Sequence, residues 1–374
     1  MNSSSGNDFG LRGRWIAWRN RLLSSPRFQR FAVRFPLTRP IARTRARDLF
    51  DLVAGFTYSQ TLAACVATGL LERLADGPQT TESVARQIDL PRAGAERLLR
   101  AARALGLVES LGAAWALGSA GAALLGNRGI AEMIAHHHLL YADLGDPVAL
   151  LRRGGGGGAL SGHWRYAESA GEGDGTDVAA YSALMAASQP LIAQQVLDAY
   201  PFRKHRRLLD VGGGEGAFLA AVAQRAPALE LGLFDLPAVG ARASARFDSA
   251  GISARTHVYG GSFLTDPLPP GYDAITLIRV LHDHDDAPAL HVLRAVHAAL
   301  PPGGKLVIAE PMAGTPGAKR SGDAYFGLYL LAMGSGRPRT PREIKAMLRA
   351  AGFAKSSLVA TALPLTTRVI VGTR

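Results

Sequence analysis

The sequence feature that most constrains the fold is a run of three glycines, Gly212–Gly214, that follows a short apolar segment. That segment, Leu208–Val211, is typical of a strand buried in a parallel sheet. Consecutive glycines permit a tight turn and the close approach of a ligand to the backbone. Apolar residues then recur with helical spacing from Phe218 onwards. The pattern predicts a strand, a glycine turn and a helix whose N-terminus can bind an anionic group.

Two binding motifs fit this turn. Gly212, Gly214 and Ala217 fit the pattern G-x-G-x-x-A of dinucleotide-binding proteins. The pattern D-x-G-x-G-x-G of S-adenosylmethionine-dependent methyltransferases is matched by Asp210, Gly212, Gly214 and Gly216. Either match alone is weak, because a tight turn in any α/β protein can carry it.

Strands and helices alternate from Leu208 to the end of the chain, which is typical of a doubly wound sheet. Five strands are predicted to be parallel, and two closing strands, near 357–361 and 367–372, to be antiparallel. The five are Leu208–Val211, Leu231–Phe234, Thr256–Tyr259, Ala274–Ile278 and Lys305–Ala309. Ligands bind at the carboxyl ends of such strands, so the functional residues are expected there.

The residues before the sheet predict a mostly helical region. Helices are expected at 46–75, 82–87, 91–105, 129–151 and 176–199, with a hairpin of two strands at 107–111 and 115–117. Three helices and a hairpin form a winged-helix arrangement, which can bind DNA or supply a dimer face. Three domains are predicted, namely an arm at 1–47, a dimerisation domain at 48–190 with a flexible glycine-rich loop at 152–175, and a catalytic domain at 191–374.

Basic charge is concentrated at the start of the chain. The formal net charge is +12, and the first fifty residues hold eleven arginines against Asp8 and Asp48. Five aromatic residues are interleaved with these arginines, namely Trp15, Trp18, Phe28, Phe31 and Phe35. Residues 11–47 could therefore contact an anionic membrane surface, pack on the next domain or bind nucleic acid, and nucleic acid is the least favoured. Residues 1–10 are predicted to be disordered.

The remaining composition favours a cytoplasmic protein with, at most, peripheral membrane contact. The single cysteine, Cys65, excludes an internal disulfide and suits a reducing compartment. No uninterrupted apolar run reaches the roughly 18 residues that a membrane span needs. The adjacent histidines His136, His137 and His138 point to different sides of a helix, so they are assigned to the surface or to a pocket wall rather than to a metal.

Polar residues follow the predicted strands. Asp235 ends the second strand, and its carboxylate can accept both ribose hydroxyls of a nucleoside. Ser262 and Phe263 follow the third strand, where Phe263 could cover an adenine face. Arg279 follows the fourth strand. These residues join Asp210 and the glycines as candidates for cofactor binding.

The candidate catalytic residues follow the next two strands. His282 can accept a proton at neutral pH, and Asp283 could orient it. Asp285 and Asp286 are expected to cap the helix that begins near Ala287, so a metal site is not predicted. Glu310, at the end of the following strand, could hold the imidazole in its productive tautomer.

In order and spacing, these motifs resemble the small-molecule O-methyltransferases that dimerise through a winged-helix domain, the caffeate and acetylserotonin type. The matching segments are Leu209–Gly216, Phe234–Pro237, Leu281–Asp286, Leu300–Lys305 and Arg339–Phe353. Three further segments resemble the branch of demethylspheroidene (hydroxyneurosporene) O-methyltransferases of purple-bacterial carotenoid synthesis, namely Phe35–Ala42, Phe50–Phe56 and Gly322–Gly334.

The resemblance implies a Rossmann-like class I methyltransferase domain, a homodimer, and methyl transfer from S-adenosylmethionine to a carotenoid hydroxyl. It implies that His282 is the base and Glu310 its supporting acid, with the cofactor at the glycine loop and Asp235. Pro338 stands where plant relatives carry a second glutamate, so the base must be oriented by Glu310, by Asp283 or by neither. The expected pocket wall is Tyr325, Phe326, Tyr329, Leu330 and Met333.

Three other functions are compatible with parts of the sequence. The glycine loop alone also fits a nicotinamide-dependent oxidoreductase. The helices and hairpin fit a DNA-binding regulator, which predicts salt-dependent DNA binding. An O-methyltransferase that acts on a phenol or a polyketide would share every catalytic feature.

Overall fold

The computed structural model describes residues 10–168 and 189–374, which form two compact units that divide between Gly118 and Ser119. This division differs from the predicted domain boundaries after residues 47 and 190, which stay predictions. A single helix, Arg39–Ala67, runs without interruption across the first of those boundaries. The expectations for residues 1–9, and for 169–188, lie outside the described residues.

The first unit contains the predicted helices and hairpin. Its helices are α1 Gly10–Ser24, α2 Pro26–Arg34, α3 Arg39–Ala67, α4 Leu70–Ala75, α5 Thr81–Gln87 and α6 Arg92–Ala104. Its strands, β1 Gln79–Thr80, β2 Val108–Leu111 and β3 Ala114–Leu117, pair antiparallel in the order β1-β3-β2. The Thr80 hydroxyl accepts a hydrogen bond from the Ser83 N–H at 3.2 Å and so caps α5.

Helix α3 has a large exposed apolar surface. By length and composition alone this helix could cross a membrane, although the sequence predicted no such segment. Only 6% of its most apolar 18-residue stretch is buried. Phe50, Leu52, Val53 and Phe56 all lie exposed on it. A helix that packs against a second protein chain has the same composition, so the exposed face indicates a need for a partner rather than a particular one.

The second unit contains the predicted seven-stranded sheet. Its strands are β4 Arg207–Val211, β5 Glu230–Asp235, β6 Thr256–Gly260, β7 Ala274–Ile278, β8 Lys305–Glu310, β9 Lys355–Val359 and β10 Arg368–Thr373. They lie in the order β6-β5-β4-β7-β8-β10-β9. The five neighbouring strands β6, β5, β4, β7 and β8 pair in parallel, and β10 is antiparallel to both of its neighbours. The carboxyl ends of β5, β4, β7 and β8 therefore lie side by side.

Helices accompany the sheet along the chain. They are α7 Ser119–Leu125, α8 Arg128–Asp143, α9 Pro147–Arg152, α10 Ala159–Glu168, α11 covering 189–199, α12 Ala217–Arg225, α13 Pro237–Ser249, α14 Asp286–Ala299, α15 Phe326–Met333 and α16 Pro341–Ala350. Alternate residues of β4 enter two different cores, since Leu208 packs in the core that contains Phe218, and Leu209 in the core that contains Val292. Burial on both faces explains why residues 208–211 of β4 are apolar apart from Asp210.

Helix α10 occupies part of the predicted glycine-rich loop, so that prediction is wrong over 159–168, whereas residues 153–158 lie outside regular secondary structure, as expected of a loop. The Gly156 N–H donates to the Leu331 carbonyl at 2.9 Å. Asp143 then accepts hydrogen bonds from the N–H groups of Ala159 and Leu160, at 2.7 and 3.0 Å, at the start of α10. These contacts join residues far apart in sequence, which composition could not reveal.

Candidate active site

The glycine turn after β4 presents an open backbone surface. Gly212, Gly214 and Gly216 have φ angles of 69°, 59° and 73°, in the left-handed region that disfavours other residues. A Cβ added at Gly212 would lie 2.8 Å from the Val280 side chain, whereas one added at Gly214 would meet nothing within 4 Å. A ligand can therefore approach the backbone at Gly214.

Asp235, at the end of β5, holds this turn in place. One carboxylate oxygen accepts a hydrogen bond from the Gly214 N–H at 2.7 Å, and the other accepts one from the Leu236 N–H at 2.7 Å. Burial raises the pKa of Asp235, and these two hydrogen bonds oppose the rise. A carboxylate has about four acceptor positions, so both oxygens can still accept a hydrogen bond from a ligand hydroxyl.

Asp210, the last polar residue of β4, is fully buried beneath the turn. Its Oδ1 accepts a hydrogen bond from the Thr276 hydroxyl at 2.6 Å, and its Oδ2 has no partner within the described part of the chain. Burial, together with the nearby Asp235 carboxylate, raises the pKa of Asp210 to about 7. The position supports the turn from below rather than offering a charge to a ligand.

The segment after β6 forms a compact turn. The Ser262 N–H donates to Asp266 at 2.8 Å, and its hydroxyl accepts from the Leu264 N–H at 3.3 Å. The ring of Phe263 meets the ring of His284 edge-on, with centroids 5.4 Å apart. Phe263 also lies against the Gly212 side of the glycine turn, at 3.4 Å from the position of an added Cβ. This places Phe263 where it could cover a planar ligand group.

Arg279 adopts an unusual backbone conformation just after β7. Its φ is 58°, and its N–H donates to the Ala309 carbonyl at 2.8 Å. A non-glycine residue in the left-handed region costs on the order of 1–2 kcal/mol, and such residues cluster at functional sites. The conformation turns the chain sharply at the carboxyl edge of the sheet, three residues before His282.

His282 lies in a short 3₁₀ turn, Leu281–Asp283, and is 5% exposed. Its Nε2 is 3.2 Å from a carboxylate oxygen of Asp283, and its ring centroid is 6.0 Å from that of Phe326. Its Nδ1 has no hydrogen-bond partner among the residues that the structure describes. The imidazole therefore has one nitrogen held by a carboxylate and one buried without a protein partner.

Burial and nearby positive charge keep this imidazole neutral. Burial lowers the pKa of His282 to about 3, helped by the guanidinium groups of Arg279 and Arg339 and by His284, while the nearby Arg279 backbone acts in the opposite direction. A neutral imidazole can accept a proton at physiological pH.

Glu310 makes no hydrogen bond to the imidazole within the described residues, although the sequence predicted that it would hold the ring. Its Oε2 accepts a hydrogen bond from the backbone N–H of His282 at 3.1 Å, and its Oε1 has no partner in the described regions. Burial raises the pKa of Glu310 to about 7, against the opposing effects of Arg339 and of the His282 N–H. The carboxyl group lies beneath the turn because β8 neighbours β7 in the sheet, so it supports the backbone of the base.

The expected capping of α14 by two aspartates is also wrong. Asp285 stands at the N-cap position, but its carboxylate accepts from the Gly336 N–H at 3.0 Å. Asp286 pairs with Arg337 and Arg339 at 3.0 and 2.8 Å. Both acids hold a distant segment rather than the helix. Within residues 10–168 and 189–374, no group of three or more His, Cys, Asp or Glu side chains could hold a metal ion.

The predicted pocket-wall residues lie on and just before α15, which follows a π-helical turn, Arg320–Tyr325. Such turns are rare and often occur at functional sites. Phe326 is near the base, whereas Tyr329, Leu330 and Met333 belong to a core cluster with Leu140, Leu150 and Leu160. Phe326 is thus the wall residue beside His282.

Two histidines of α8 hold this wall in place. The sequence predicted that they lie either at the surface or in a pocket wall. His137 Nε2 lies 2.7 Å from the Tyr325 hydroxyl, and His136 Nε2 lies 3.0 Å from the Tyr329 hydroxyl. Burial, with the neighbouring histidines, lowers the pKa of His136 to about 4, and burial also lowers the pKa of His137. Both imidazoles therefore remain neutral partners of the tyrosines at pH 7.

Comparison with known proteins identifies the family. A model of the O-methyltransferase domain matches residues 141–354, and one of the O-methyltransferase dimerisation domain matches residues 50–127. The chain is 42% identical over 356 residues to the demethylspheroidene O-methyltransferase of Cereibacter sphaeroides. This alignment covers 95% of this chain and 94% of that protein. It is 32% identical over 339 residues to the acetylserotonin O-methyltransferase of Mus musculus, in an alignment that covers 83% of this chain and 84% of that protein.

Solved structures have the same fold. The S-adenosylmethionine-dependent methyltransferase SibL, in its apo form, is 24% identical with a TM-score of 0.73, over 87% of this chain and 98% of that chain. Human N-acetylserotonin methyltransferase, in complex with SAM, is 23% identical with a TM-score of 0.72, over 88% and 97%. With both domain models matched and a relative of this similarity along almost its whole length, the chain belongs to the O-methyltransferase family.

Proposed function

We propose that the protein is an S-adenosylmethionine-dependent O-methyltransferase that methylates the tertiary hydroxyl of a 1-hydroxycarotenoid. The observation that carries the proposal is a buried, neutral imidazole, His282, at the same sheet edge as an open glycine turn. The substrate class rests on two relatives named demethylspheroidene O-methyltransferase, each 42% identical and covering 95% of this chain, from Cereibacter sphaeroides and Rhodobacter capsulatus.

The residues around the glycine turn fit the methyl donor. The open side of Gly214 admits the donor to the backbone, and Asp235 has acceptor positions for its ribose hydroxyls. Phe263 can cover the adenine. Arg279 shapes the adjoining chain, and Asp210 supports the turn from below. When bound, S-adenosylmethionine supplies an electrophilic methyl group on a sulfonium centre.

His282 acts as the general base. A tertiary alcohol is too weak an acid to ionise before attack, so its proton moves to the imidazole while the oxygen attacks the methyl carbon. The low pKa of His282 makes it a weak base in the resting protein. The hydroxyl becomes more acidic as its oxygen bonds to the methyl carbon and the carbon–sulfur bond breaks, so the proton is transferred during the attack. Positioning of the two reactants supplies much of the rate.

Two acids support the base in different ways. Asp283 contacts the imidazole and stabilises its protonated form, whereas Glu310 holds the backbone of the turn. Phe326, near the imidazole, provides an apolar wall that excludes water and strengthens the local electrostatics. Tyr325, at the end of the π-helical turn, packs edge-on against Phe326, and Tyr329 and Met333 support that wall from the core side of α15.

The experiment is methyl transfer from radiolabelled S-adenosylmethionine to a panel of 1-hydroxycarotenoids, phenols and aromatic polyketides. The wild type should methylate the carotenoid hydroxyl, and His282→Ala should lose on the order of 10²–10⁴-fold in kcat while it still binds S-adenosylhomocysteine. His291→Ala, on α14, is the matched control. Preferential methylation of a phenol would replace the proposed substrate, and full activity in His282→Ala would remove the proposed base.

We also infer a homodimer formed through the dimerisation domain, and peripheral contact of residues 11–47 with an anionic membrane. The exposed apolar face of α3 supports the dimer, since Phe50, Leu52, Val53 and Phe56 need cover. A long polyene is soluble in a bilayer rather than in water, so a cytoplasmic enzyme that acts on it benefits from binding at the membrane surface. Helix α1 has no buried residue and no acidic residue in its first turn.

A further inference from the structure

Arg339 is a fully buried arginine in a segment that the proposed chemistry does not use. Its Nη1 donates to the Leu281 carbonyl at 2.7 Å, and its Nη2 donates to the His284 carbonyl at 2.7 Å. Its Nε and Nη2 donate to one carboxylate oxygen of Asp286, at 2.9 and 2.8 Å. One guanidinium thus binds both ends of the turn that carries His282.

The neighbours of Arg339 bind the same turn. We call residues Ser335–Arg339 the strap. The Ser335 hydroxyl donates to the Asp283 carbonyl at 2.8 Å, and the Gly336 N–H donates to Asp285. A Cβ added at Gly336 would collide with the backbone of His282 and Asp283. The strap therefore lies directly against the backbone of the base and follows the pocket helix α15 in the chain.

A buried guanidinium is costly unless every donor is satisfied, and replacing a buried ion pair by apolar residues is often neutral for stability. Stability alone is thus a weak reason for the arrangement. The planar fork of arginine can bind two backbone carbonyls and a carboxylate at once in a fixed geometry, which lysine cannot. What the arrangement does fix is the conformation of the turn.

We propose that Arg339 is a positioning residue for methyl transfer, which clamps the Leu281–His284 turn so that the imidazole of His282 keeps its orientation towards the acceptor oxygen. The inference rests on the proposed role of His282 as the base. Pro338, which precedes it, has no ionisable group, whereas Arg339 places a charged group against the turn that carries the base.

Arg339 also acts on the base through its charge. The groups that act on the imidazole are Arg279 and His284 from its own segment, Asp283 beside Nε2, Glu310 from β8, and Arg339 from the strap. The positive charge of Arg339 lowers the pKa of His282. The clamp and the charge can be separated by substitution, because lysine keeps the charge and loses the fork, whereas glutamine loses both.

The test compares the pH dependence of kcat for the wild type, Arg339→Lys and Arg339→Gln. Arg337→Lys is the matched control, since Arg337 lies in the same strap but pairs with the acids Asp286 and Glu343 and not with the turn carbonyls. Arg339→Lys should lose about 10–100-fold in kcat, as expected for a misplaced base, with an unchanged acidic limb. Arg339→Gln should lose as much and also move its acidic limb to higher pH.

Binding of S-adenosylhomocysteine and thermal unfolding, measured on the same preparations, separate these effects from loss of folding. The inference is overturned if a folded Arg339→Lys keeps wild-type kcat, or if Arg339→Gln loses thermal stability without a change in kcat or in its acidic limb. If the wild type methylates no acceptor, the proposed function fails instead, so the two failures are distinguishable.

Discussion

The carboxylate of Glu310 receives a hydrogen bond from the backbone N–H of His282 at 3.1 Å, while the imidazole of His282 lies against Asp283 at 3.2 Å. The two acids therefore divide a task that the resemblance to known O-methyltransferases assigned chiefly to Glu310. One acid fixes where the turn is, and the other contacts the ring. The consequences of removing them should differ.

Replacing Asp283 with asparagine should lower kcat by about 10–100-fold, because the protonated imidazole loses its counter-charge. Glu310→Gln should cost less than about 10-fold, because the amide oxygen can still accept the backbone hydrogen bond. Steady-state kinetics with saturating methyl donor measure both. A larger loss in Glu310→Gln than in Asp283→Asn would reverse the assignment.

The open side of the glycine turn gives a second prediction. Gly214→Ala should abolish binding of S-adenosylhomocysteine, measured by calorimetry, because the new methyl group would fill the space above the turn. Gly251→Ala is the control: its φ of 67° resembles the 59° of Gly214, and an added Cβ there also meets nothing within 4 Å.

Both substitutions should cost on the order of 1–2 kcal/mol of stability from backbone strain. Only Gly214→Ala should lose the ligand. If the two variants bind equally well, the donor does not lie over Gly214, and the proposed cofactor site is wrong.

The central strands could be predicted because they are buried on both faces and therefore read as largely apolar runs, as in Ala274–Ile278, whereas the edge strands β6 and β9 are only partly buried. Arg339 could not be found in the same way. An arginine before a helix-capping threonine looks like a surface residue, and only the folded chain shows that its guanidinium turns inward to the Leu281 carbonyl. The hydrogen bond from the Gly156 N–H to the Leu331 carbonyl could not be found either, since the two residues are far apart in sequence.

Asp210 predicts how stability depends on pH. Its carboxyl has a pKa of about 7 in the folded protein, above its ordinary value of 3.8, so the folded state holds this proton more tightly than the unfolded state does. Between these values, rising pH should progressively destabilise the fold, and the full penalty applies above pH 7. Asp210→Asn lacks this penalty and keeps an acceptor for Thr276.

Relative to the wild type, Asp210→Asn should therefore gain stability between pH 5 and pH 8, by no more than about 3 kcal/mol. Urea unfolding at both pH values measures the difference. Asp48→Asn, which makes the same substitution at an exposed position on α3, is the control. An Asp210→Asn effect that does not grow with pH would mean that the buried carboxyl is ionised without cost.

The basic arm should bind anionic lipid. Trp15 and Trp18 are 55% and 60% exposed on α1, and the arginines around them have no ion-pair partner in the described parts of the chain. Arg14→Glu/Arg21→Glu should weaken flotation with phosphatidylserine vesicles by at least about 10-fold, because each arginine near such a surface contributes about 1 kcal/mol.

Arg97→Glu/Arg103→Glu, on α6, makes the same change in net charge at exposed positions outside the arm and should bind as the wild type does. Equal loss in both double variants would indicate that net charge, not the arm, attracts the vesicles. Wild-type binding that is independent of lipid charge would show that the arm does not recognise an anionic surface, and a change of oligomeric state in the arm variant would assign the arm to a second copy of the chain.

The hydrogen bond between His137 and Tyr325 should couple α8 to the wall beside the base. Tyr325→Phe leaves a buried imidazole nitrogen without its partner, at a cost of about 1–3 kcal/mol, and His137→Phe likewise strands the hydroxyl. The double variant strands neither group, so it should lose less unfolding free energy than the sum of the single variants, with a coupling of about 1 kcal/mol in urea unfolding.

Because Tyr325 stacks edge-on against Phe326, whose ring is 6.0 Å from that of His282, each single variant should also lower kcat/KM for the acceptor. His138→Phe, at the exposed neighbour, serves as the control, and additive single effects would show that the wall is held by packing alone.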